Sequence, residues 1–455
     1  MSAPMLAQET YQDTKFAENS LTGTARYVGM GGAMEALGAD ISTISSNPAG
    51  LGLFRKSMAS FSAGVVAQPG ADTELNFDKT PFGFDGKKSV PSFDQIGFVW
   101  AATNGDSNVK LNFGFNYHKS TNFSQILSAA NYLNGASQTK WASAKTAYAK
   151  ELDEKHGKDA GDQIWNAVDA NYNALMGKDE EGNQMTYDGR SFLFGQYQKG
   201  YIGEYDFNIS VGFNDRVWLG FTLGIHDVHY RSNSVYTENY VADKEAYGTA
   251  WESQRITGTG YDAKLGIIFR PVEDSPFRIG AYVNSPVFYD LSMDGTADLE
   301  LVDKNITDDK GNYAEASNTN SSSLDYRLNT ALKTGISLGH TIGSNLALGA
   351  TYEYAWYNHM DNRVKDGGYY DGYWDEYYET SSSDDLMNDH TKQSLQGVST
   401  LKLGLEYKPV SMLALRLGYN YVSPMFKEGA DRDQTIPSQG TIYATSTDYT
   451  NWKAT

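Results

Sequence analysis

The chain has 455 residues, a formal net charge of −19 and a mean hydropathy of −0.51. It contains no run of about 18 apolar residues, which excludes a helical membrane protein. The acidic balance argues against nucleic-acid binding, because binding phosphates needs clustered Lys and Arg. The absence of cysteine excludes disulfides, thiolate metal sites and a cysteine nucleophile. The 32 Tyr, 20 Phe and 45 Gly against 11 Pro suit many β-strands with two different faces.

The first residues lack the basic start and the full apolar core of a secretory signal. They end in small Ala7 directly before polar Gln8, as the tail of such a signal does. We therefore predict that residues 1–7 are a signal-peptide remnant and that the native precursor was exported. An ordinary N-terminus is the alternative.

The next segment, residues 8–55, is predicted to be an N-terminal hatch that plugs a barrel. From Glu18 to Phe54 it is rich in Gly, Ala and Ser and shows no sustained strand alternation. Small residues allow close backbone packing in a narrow space, and Asn47-Pro48 fixes a turn. The glycines at 29, 31 and 32 do not form a phosphate-binding motif, because no βαβ unit follows.

From residue 56 onward, many segments alternate between apolar residues and small or polar ones, which predicts strands with one apolar and one polar face. Most reach the roughly 9–11 residues that a tilted strand needs to cross a bilayer. The eleven predicted strands are 57–67, 92–103, 108–119, 200–213, 216–231, 250–270, 276–290, 324–340, 345–357, 397–408 and 411–422.

Charged residues on the polar face favour a wet barrel interior over a soluble β-sandwich, whose inner face would not repeatedly carry Lys, Arg and Glu. The connections support this choice, because short turns alternate with long polar loops, as in outer-membrane barrels. The charged residues are Lys264, Arg278, Lys333, Lys402, Glu406 and Arg416. The predicted long loops lie near 68–91, 120–199, 232–249, 291–323, 358–396 and 423–449.

Within the second of these loops, apolar residues recur at roughly helical spacing between 124 and 178. We expect two or three amphipathic helices that cap the outer mouth, with a helical loop that packs only on itself as the alternative. The apolar positions are Ile126, Leu127, Trp141, Ala144, Tyr148, Leu152, Ile164, Trp165, Val168, Tyr172 and Leu175.

Together these elements predict an all-β protein: a transmembrane antiparallel β-barrel over residues 56–455, with an N-terminal plug and helical outer loops. If the chain starts in the periplasm, the eleventh strand runs outward, and an even-numbered barrel requires at least one more strand. The end at Lys453-Ala454-Thr455 lacks an apolar, aromatic-ended strand. We therefore expect the last two or three strands to be missing from this sequence.

The N-terminal motif resembles the long-chain fatty acid transporter family of outer membranes, the FadL/TodX type. The likeness rests on the Gly/Ala-rich opening, acidic Asp40, and Asn47-Pro48-Ala49-Gly50-Leu51 just before the first strand. It covers about the first 60 residues in sequence and the rest in architecture. The Tyr-rich composition is similar to that of members from Bacteroidetes-type bacteria, some of which are labelled hemin receptors or serve as secretion-system components.

The resemblance implies a fourteen-stranded barrel whose hatch, including Asn47, Pro48, Ala49, Gly50 and Leu51, gates the lumen. It further implies passive transport: the outer loops capture a hydrophobic, fatty acid-like molecule, the hatch moves, and the ligand exits sideways through the wall. We accordingly expect a monomer in the bacterial outer membrane, in contact with lipid and lipopolysaccharide. The alternatives are a partner-binding barrel that grips another protein through its outer loops, such as a secretion-system component, and a hemin receptor.

No catalytic motif, cofactor or metal site is expected, and the chain is predicted not to be an enzyme. His226 and His229 fall on opposite faces of a strand and do not form a metal pair. Acidic loop positions such as Asp308-Asp309 lack a calcium-loop spacing. The aromatic stretch 367–378 could catch a flat ligand or lie at the lipopolysaccharide boundary, where Tyr and Trp prefer an interface; we favour the boundary.

Overall fold

The structure is a computed structural model that describes residues 10–18, 20–102, 108–157, 186–242, 244–307, 310–410, 412–428 and 430. The predicted signal-peptide remnant at residues 1–7 lies outside the described residues. The same holds for residues 431–455, on which the expectation of missing strands bears, and for Asp308-Asp309. Within the described ranges, no helix is long and apolar enough to cross a bilayer.

The wall of the molecule is one antiparallel sheet in which eleven strands follow one another as hydrogen-bonded neighbours. Each of the eleven predicted strands overlaps one of them, so the all-β antiparallel fold is confirmed. In the described part of the chain the two edge strands, β1 and β18, are not paired with each other. In sheet order the strands are β1 (Met58–Ala67), β4 (Ser89–Ala101), β5 (Val109–Asn122), β7 (Gly189–Phe213), β8 (Val217–Tyr240), β9 (Ala246–Phe269), β10 (Arg278–Asn284), β13 (Lys333–Ile342), β14 (Leu346–Ala355), β17 (Val398–Val410) and β18 (Leu413–Val422).

Further elements extend this wall or cover it. The remaining strands are β2 (Glu74–Phe77), β3 (Thr80–Gly83), β6 (Gln125–Tyr132), β11 (Phe288–Thr307), β12 (Tyr313–Asn329), β15 (Asp361–Asp371) and β16 (Glu376–Ser383). The α-helices are α1 (Thr10–Ala17), α2 (Ala25–Gly29), α3 (Gln138–His156) and α4 (Asp385–Ser394), and the 3-10 helices are Ile41–Ser45, Pro48–Leu53 and Tyr357–His359.

Two predicted strands are wrong in extent because each is broken. Residues 276–290 divide into β10 and β11 at Ser285-Pro286-Val287, where proline cannot donate to the ladder. Residues 324–340 divide into β12 and β13 around residues 330–332. The breaks lie side by side, since Asn284 pairs with Lys333 and Phe288 pairs with Asn329. Two neighbouring strands therefore bend at the same level of the wall.

The wall strands turn apolar side chains outward and polar side chains inward. On β8 the exposed apolar row runs from Leu219 to Ile225, whereas Thr222 between them is buried. Exposed apolar rows also run from Tyr205 to Phe213 on β7 and from Tyr261 to Phe269 on β9. This distribution is the reverse of a water-soluble domain, in which large apolar side chains pack inside.

After residue 226 the polarity of the two faces of β8 reverses: the inner face becomes apolar and the outer face becomes polar. Val228 and Tyr230 are buried on the inner face, whereas His229 and Arg231 are exposed on the outer face. Arg255 on the neighbouring strand β9 is likewise exposed beside buried Ile256. The outward apolar band therefore ends at this level, and the strands continue beyond it with the polarity of a soluble protein.

Five of the six predicted long loops contain β-strands. Residues 232–249 and 291–323 are wrong as loops, because β8, β9, β11 and β12 continue through most of both. Their outward residues are polar, so polarity alone predicted loops although backbone pairing continues. Smaller hairpins occupy parts of the predicted loops 68–91 (β2–β3) and 358–396 (β15–β16).

The loop expected to be helical is helical only in part. The predicted helix at Ile126 and Leu127 is wrong, because both lie in β6, which pairs with β7. A helix does form at Gln138–His156. The apolar positions from Ile164 to Leu175 lie outside the described residues.

The N-terminal segment, defined here as residues 20–55, lies inside the curve of the sheet. Nine wall strands approach it through a glycine whose missing side chain leaves room for this segment. Many of these glycines are cross-strand neighbours, for example Gly220 and Gly266 on β8 and β9. The nine are Gly97, Gly114, Gly220, Gly266, Gly280, Gly339, Gly349, Gly404 and Gly418. Close backbone approach therefore fits the segment to the wall on almost every side.

We predict that Gly220→Ala loosens the N-terminal segment, because a Cβ at residue 220 would overlap the Pro48 backbone. Such overpacking costs about 1–3 kcal/mol. Hydrogen exchange should show faster exchange of residues 40–52 in the variant. Gly83→Ala is the control, since the nearest atom to its Cβ, the Thr73 carbonyl oxygen, lies 3.8 Å away. Equal exchange in both variants would contradict the close fit.

Beyond the outward apolar band, a buried carboxylate on β8 holds the start of α3. Both oxygens of Glu238 on β8 accept from the backbone N–H of Gln138 at 3.0 Å. The Tyr236 hydroxyl donates to Glu238 Oε1 at 2.7 Å. Burial dominates these hydrogen bonds and raises the pKa of Glu238 to about 7. The contact between α3 and the wall therefore depends on a group that titrates near neutral pH.

A raised carboxyl pKa stabilises the folded contact while the group stays protonated. This contribution is complete below the ordinary pKa of 4.5 and is lost as the pH rises through about 7. We predict that hydrogen-exchange protection of α3 falls between pH 5 and pH 8 in the native chain. Glu238→Gln, which cannot ionise, should abolish this change. Parallel pH profiles in the two proteins would contradict the prediction.

Candidate functional site

The motif Asn47-Pro48-Ala49-Gly50-Leu51 lies buried on the inner side of the wall. Asn47 caps the 3-10 helix Pro48–Leu53: its Oδ1 accepts from the Ala49 N–H at 3.2 Å. Its Nδ2 donates to the carbonyl of Glu35 at 3.1 Å and to that of Ile267 on β9 at 3.4 Å. The Asn47 side chain therefore joins two parts of the N-terminal segment to the wall.

Polar side chains of the wall satisfy the backbone of this segment. Asn112 donates to the Leu51 carbonyl at 2.7 Å. Asn208 donates to the Pro48 carbonyl at 3.4 Å, and the Thr222 hydroxyl donates to the Ile44 carbonyl at 3.1 Å. Buried carbonyls of irregular backbone need such partners. The inward polar side chains of the wall therefore provide hydrogen-bond donors for the backbone of the N-terminal segment.

A buried ion pair ties the segment to β17. Lys402 Nζ lies 3.2 Å from Glu35 Oε1. The Tyr27 hydroxyl donates to the same oxygen at 3.2 Å, and the Thr351 hydroxyl donates to Oε2 at 2.7 Å. Glu353 also faces Lys402, at 3.9 Å. Because Glu35 is fully buried, this network depends on every partner remaining in place.

A second ionic group joins the segment to the last two wall strands. Arg26 Nε lies 3.1 Å from Glu406 on β17, and Arg416 Nε on β18 lies 2.7 Å from the same carboxylate. Arg278 donates to the Leu37 carbonyl at 2.7 Å. The inward position predicted for the charged residues is therefore confirmed. Their surroundings differ from the predicted wet lumen, because Arg278, Lys402 and Glu406 contact the N-terminal segment.

A cavity of about 780 Å³ lies between the N-terminal segment, α1 and the wall. A volume of this size is typical of pockets that hold small molecules. Its lining combines apolar groups such as Leu21, Val398 and Met425 with charged Lys333 and Lys402. Ser45 and Ser46, which directly precede Asn47, also line it. The motif therefore lies next to a large space that the described residues line.

Helix α1 covers this cavity and is anchored by aromatic packing. Phe16 meets Phe123 and Tyr230 edge-to-face, with ring centroids 5.8 and 5.9 Å apart. These rings belong to an apolar cluster above the outward band that also includes Val228 and Leu291. Such aromatic pairs add about 0.5–1.5 kcal/mol beyond the area they bury. The first described helix is therefore fixed inside the molecule.

A buried charged cluster on β5, β7, β8 and β9 was not predicted. Lys264 Nζ donates to Glu204 at 2.6 Å, to Asp206 at 2.9 Å and to Asp262 at 3.0 Å. His118 and His226 face the same carboxylates. Each residue has the polar parity of its strand, which was the available signal. Their proximity depends on the register of four strands, which no single strand reveals.

His226 and His229 lie on opposite faces of β8, as the sequence predicts. His226 is buried on the inner face, whereas His229 is exposed and lies 2.9 Å from Asp227.

The aromatic stretch 367–378 forms the tip of the β15–β16 hairpin. Tyr373 and Trp374 there are 84% and 67% exposed.

Comparison with solved structures finds similarity to toluene transporters and to a FadL homologue. This chain is similar to the toluene transporter TbuX of Ralstonia pickettii (12% identity, 90% of this chain and 88% of that chain, TM-score 0.45). It is also similar to a Pseudomonas aeruginosa FadL homologue (12%, 92% and 84%, 0.45) and to the Pseudomonas putida toluene transporter TodX (12%, 96% and 88%, 0.39). No protein-family model and no curated protein sequence matches the chain.

We predict that Glu35→Gln weakens the attachment of the N-terminal segment by about 3 kcal/mol. This is the low end for breaking a buried pair, because Glu353 still faces Lys402. Native-state hydrogen exchange of residues 25–45 measures the change. Asp389→Asn, which removes an exposed pair with Lys392, should cost less than about 1 kcal/mol. A cost for Glu35→Gln no larger than for this control would contradict the assigned role.

Proposed function

We propose that the chain is an outer-membrane β-barrel through which small hydrophobic molecules cross passively. The observation that carries this proposal is the reversed polarity of the wall, with exposed Leu, Phe, Ile and Tyr rows outside and buried polar groups inside. Apolar surface of this extent favours apolar surroundings by roughly 25 cal/mol per Å². It greatly exceeds the patches that soluble monomers expose.

The exchange of polarity near residue 226 supports the same placement. Below it, the outward rows on β7 and β9 match the roughly 9–11 residues of a tilted membrane strand. Above it, outward His229 and Arg231 suit an aqueous layer. We place the outer boundary of the membrane at this level. The long strands above it, together with α3, then form the outer, water-exposed part.

The cavity is the proposed ligand site. A hydrophobic tail would lie against Leu21, Val398 and Met425. Lys333 lines the same cavity, and its Nζ donates to the Ala17 carbonyl at 3.4 Å. A cation next to apolar groups suits an amphipathic acid such as a long-chain fatty acid. We therefore propose fatty acid-like molecules as the ligand class.

Residues 8–55 are the proposed hatch, and the N-terminal segment of residues 20–55 is its larger part. The Asn47–Leu51 motif lies next to the cavity, and we propose that it blocks the interior at that level, so that passage requires this segment to shift. It is held by hydrogen bonds, ion pairs and close glycine contacts, whereas the wall ladder is independent of it. The hatch can therefore move without opening the sheet, and the ligand would then leave sideways through the wall.

A disulfide between Gly29→Cys and Arg416→Cys tests hatch movement. The Cβ position of residue 29 lies 3.3 Å from the Arg416 Cβ, close to disulfide geometry, and the chain has no other cysteine. We predict that the oxidised variant loses most uptake of radiolabelled oleate into cells that lack their own fatty acid transporter. Reduction should restore it.

Each single-cysteine variant, oxidised in parallel, controls for the loss of Gly29 or Arg416. Assembly is checked by the heat-dependent mobility of the barrel in gels. Full uptake by a protein shown to be cross-linked would contradict hatch movement. Absence of uptake in every form, including the native chain, would contradict fatty acid transport itself.

A partner-binding barrel is the second candidate, favoured by the β15–β16 hairpin. Tyr369, Tyr370, Tyr373, Trp374 and Tyr377 are all exposed there, and Tyr and Trp are enriched where proteins bind one another. A stable complex purified in mild detergent, lost when residues 369–378 are replaced by a Gly/Ser turn, would support this candidate. Unchanged oleate uptake by the same variant would show that transport does not depend on this hairpin.

A further inference from the structure

The buried cluster on β5, β7, β8 and β9 leaves part of its charge unbalanced. Glu204, Asp206 and Asp262 supply three negative charges, and Lys264 supplies one positive charge. With neutral histidines the net charge is −2, in a place where all four side chains are buried. Uncompensated charge is costly to bury. With all three carboxylates ionised, the cluster therefore needs two further positive charges.

Lys264 uses only part of the carboxylate oxygens. It contacts Glu204 Oε1 at 2.6 Å and Asp206 Oδ1 at 2.9 Å. The second oxygens of these two groups point instead toward His118. Within the described part of the chain, Asp206 Oδ2 and both ring nitrogens of His226 have no hydrogen-bond partner. Buried polar atoms without hydrogen-bond partners indicate a missing ligand.

The spacing of these atoms fits a cation better than direct hydrogen bonds. His118 Nε2 lies 3.4 Å from Glu204 Oε2, and His118 Nδ1 lies 3.7 Å from Asp206 Oδ2. His226 Nδ1 lies 4.0 Å from Glu204 Oε2. A charge-assisted hydrogen bond would bring such atoms to about 2.7–2.9 Å. Two ligands at about 2.1 Å from a tetrahedral metal ion lie roughly 3.4 Å apart.

We propose that His118, Glu204 and Asp206 form a site for one divalent cation of the zinc class, with His226 as the neighbouring ligand. Within each of two overlapping triads, His118–Glu204–Asp206 and Glu204–His226–Asp262, the potential ligand atoms lie within 4.8 Å of one another. Imidazole and carboxylate together suit zinc and its neighbours, whereas calcium and magnesium take oxygen ligands. A divalent ion with neutral histidines brings the cluster to zero net charge.

The surroundings support the site. His118 lines the cavity, which gives an ion a path to the cluster. Its ring is oriented by Asn116 at 3.3 Å, and Asn116 accepts from Gln95 at 2.9 Å. Gly224 on β8 makes room for Asp262, because a Cβ there would overlap the carboxylate. An ion bound at this site would join β5 and β7 close to the Asn47–Leu51 motif.

Zinc titration of the full chain tests the site. The protein is purified in detergent without a histidine tag, stripped with a chelator and dialysed against ZnCl₂, and bound metal is measured by elemental analysis. We expect one zinc per chain in the native protein and in His229→Gln, a control on the same strand. His118→Gln and Glu204→Gln should each weaken binding by at least about tenfold.

Two outcomes would overturn the proposal. One is a native chain that binds no stoichiometric zinc. The other is equal zinc binding by His118→Gln and the native protein. Heat-dependent gel mobility shows whether each variant folds, and Asp206→Asn replaces Glu204→Gln if the latter does not. Cobalt provides a second readout: its visible bands should change in His118→Gln and stay unchanged in His229→Gln.

Discussion

The strand period of two places opposite chemistry on the two faces of every wall strand, and the rest of the structure depends on this arrangement. Outward apolar rows such as Leu219–Ile225 are stable only against an apolar neighbour, and inward polar groups are stable only with partners. The N-terminal segment supplies many of those partners through its carbonyls and charged side chains. A glycine on each of nine strands lets its backbone come close enough.

Much of the wall could be predicted because period-two alternation is a local property. All eleven predicted strands overlap wall strands, and inward charges such as Lys402 and Glu406 have the predicted orientation. The prediction was wrong where backbone pairing continues without the alternation of apolar and polar residues. The polar upper strands at 232–240 and 291–307 pair as regularly as the lower ones. Their polar outward side chains gave the composition of a loop.

The candidate site was only partly predictable, because its contacts are between strands distant in sequence. The Asn47–Leu51 motif was found through its resemblance to a family, and its role as a hatch stays a prediction. The cluster around Lys264 needs four strands in the right register, so Glu204 and Asp262 looked like ordinary polar positions. Similarly, a bend shared by two strands at Pro286 follows from their pairing rather than from either sequence alone.

Site-directed spin labelling along β8 tests the central claim most directly, because the cysteine-free chain accepts one label at a time. Labels at residues 219 to 226 are compared in lipid vesicles for collisions with oxygen, which is concentrated in lipid, and with a water-soluble nickel complex. The account predicts high oxygen access at Leu219, Phe221, Leu223 and Ile225 and low access to both reagents at Thr222. Uniformly low oxygen access at the odd positions would show that they pack in a protein core, and would contradict it.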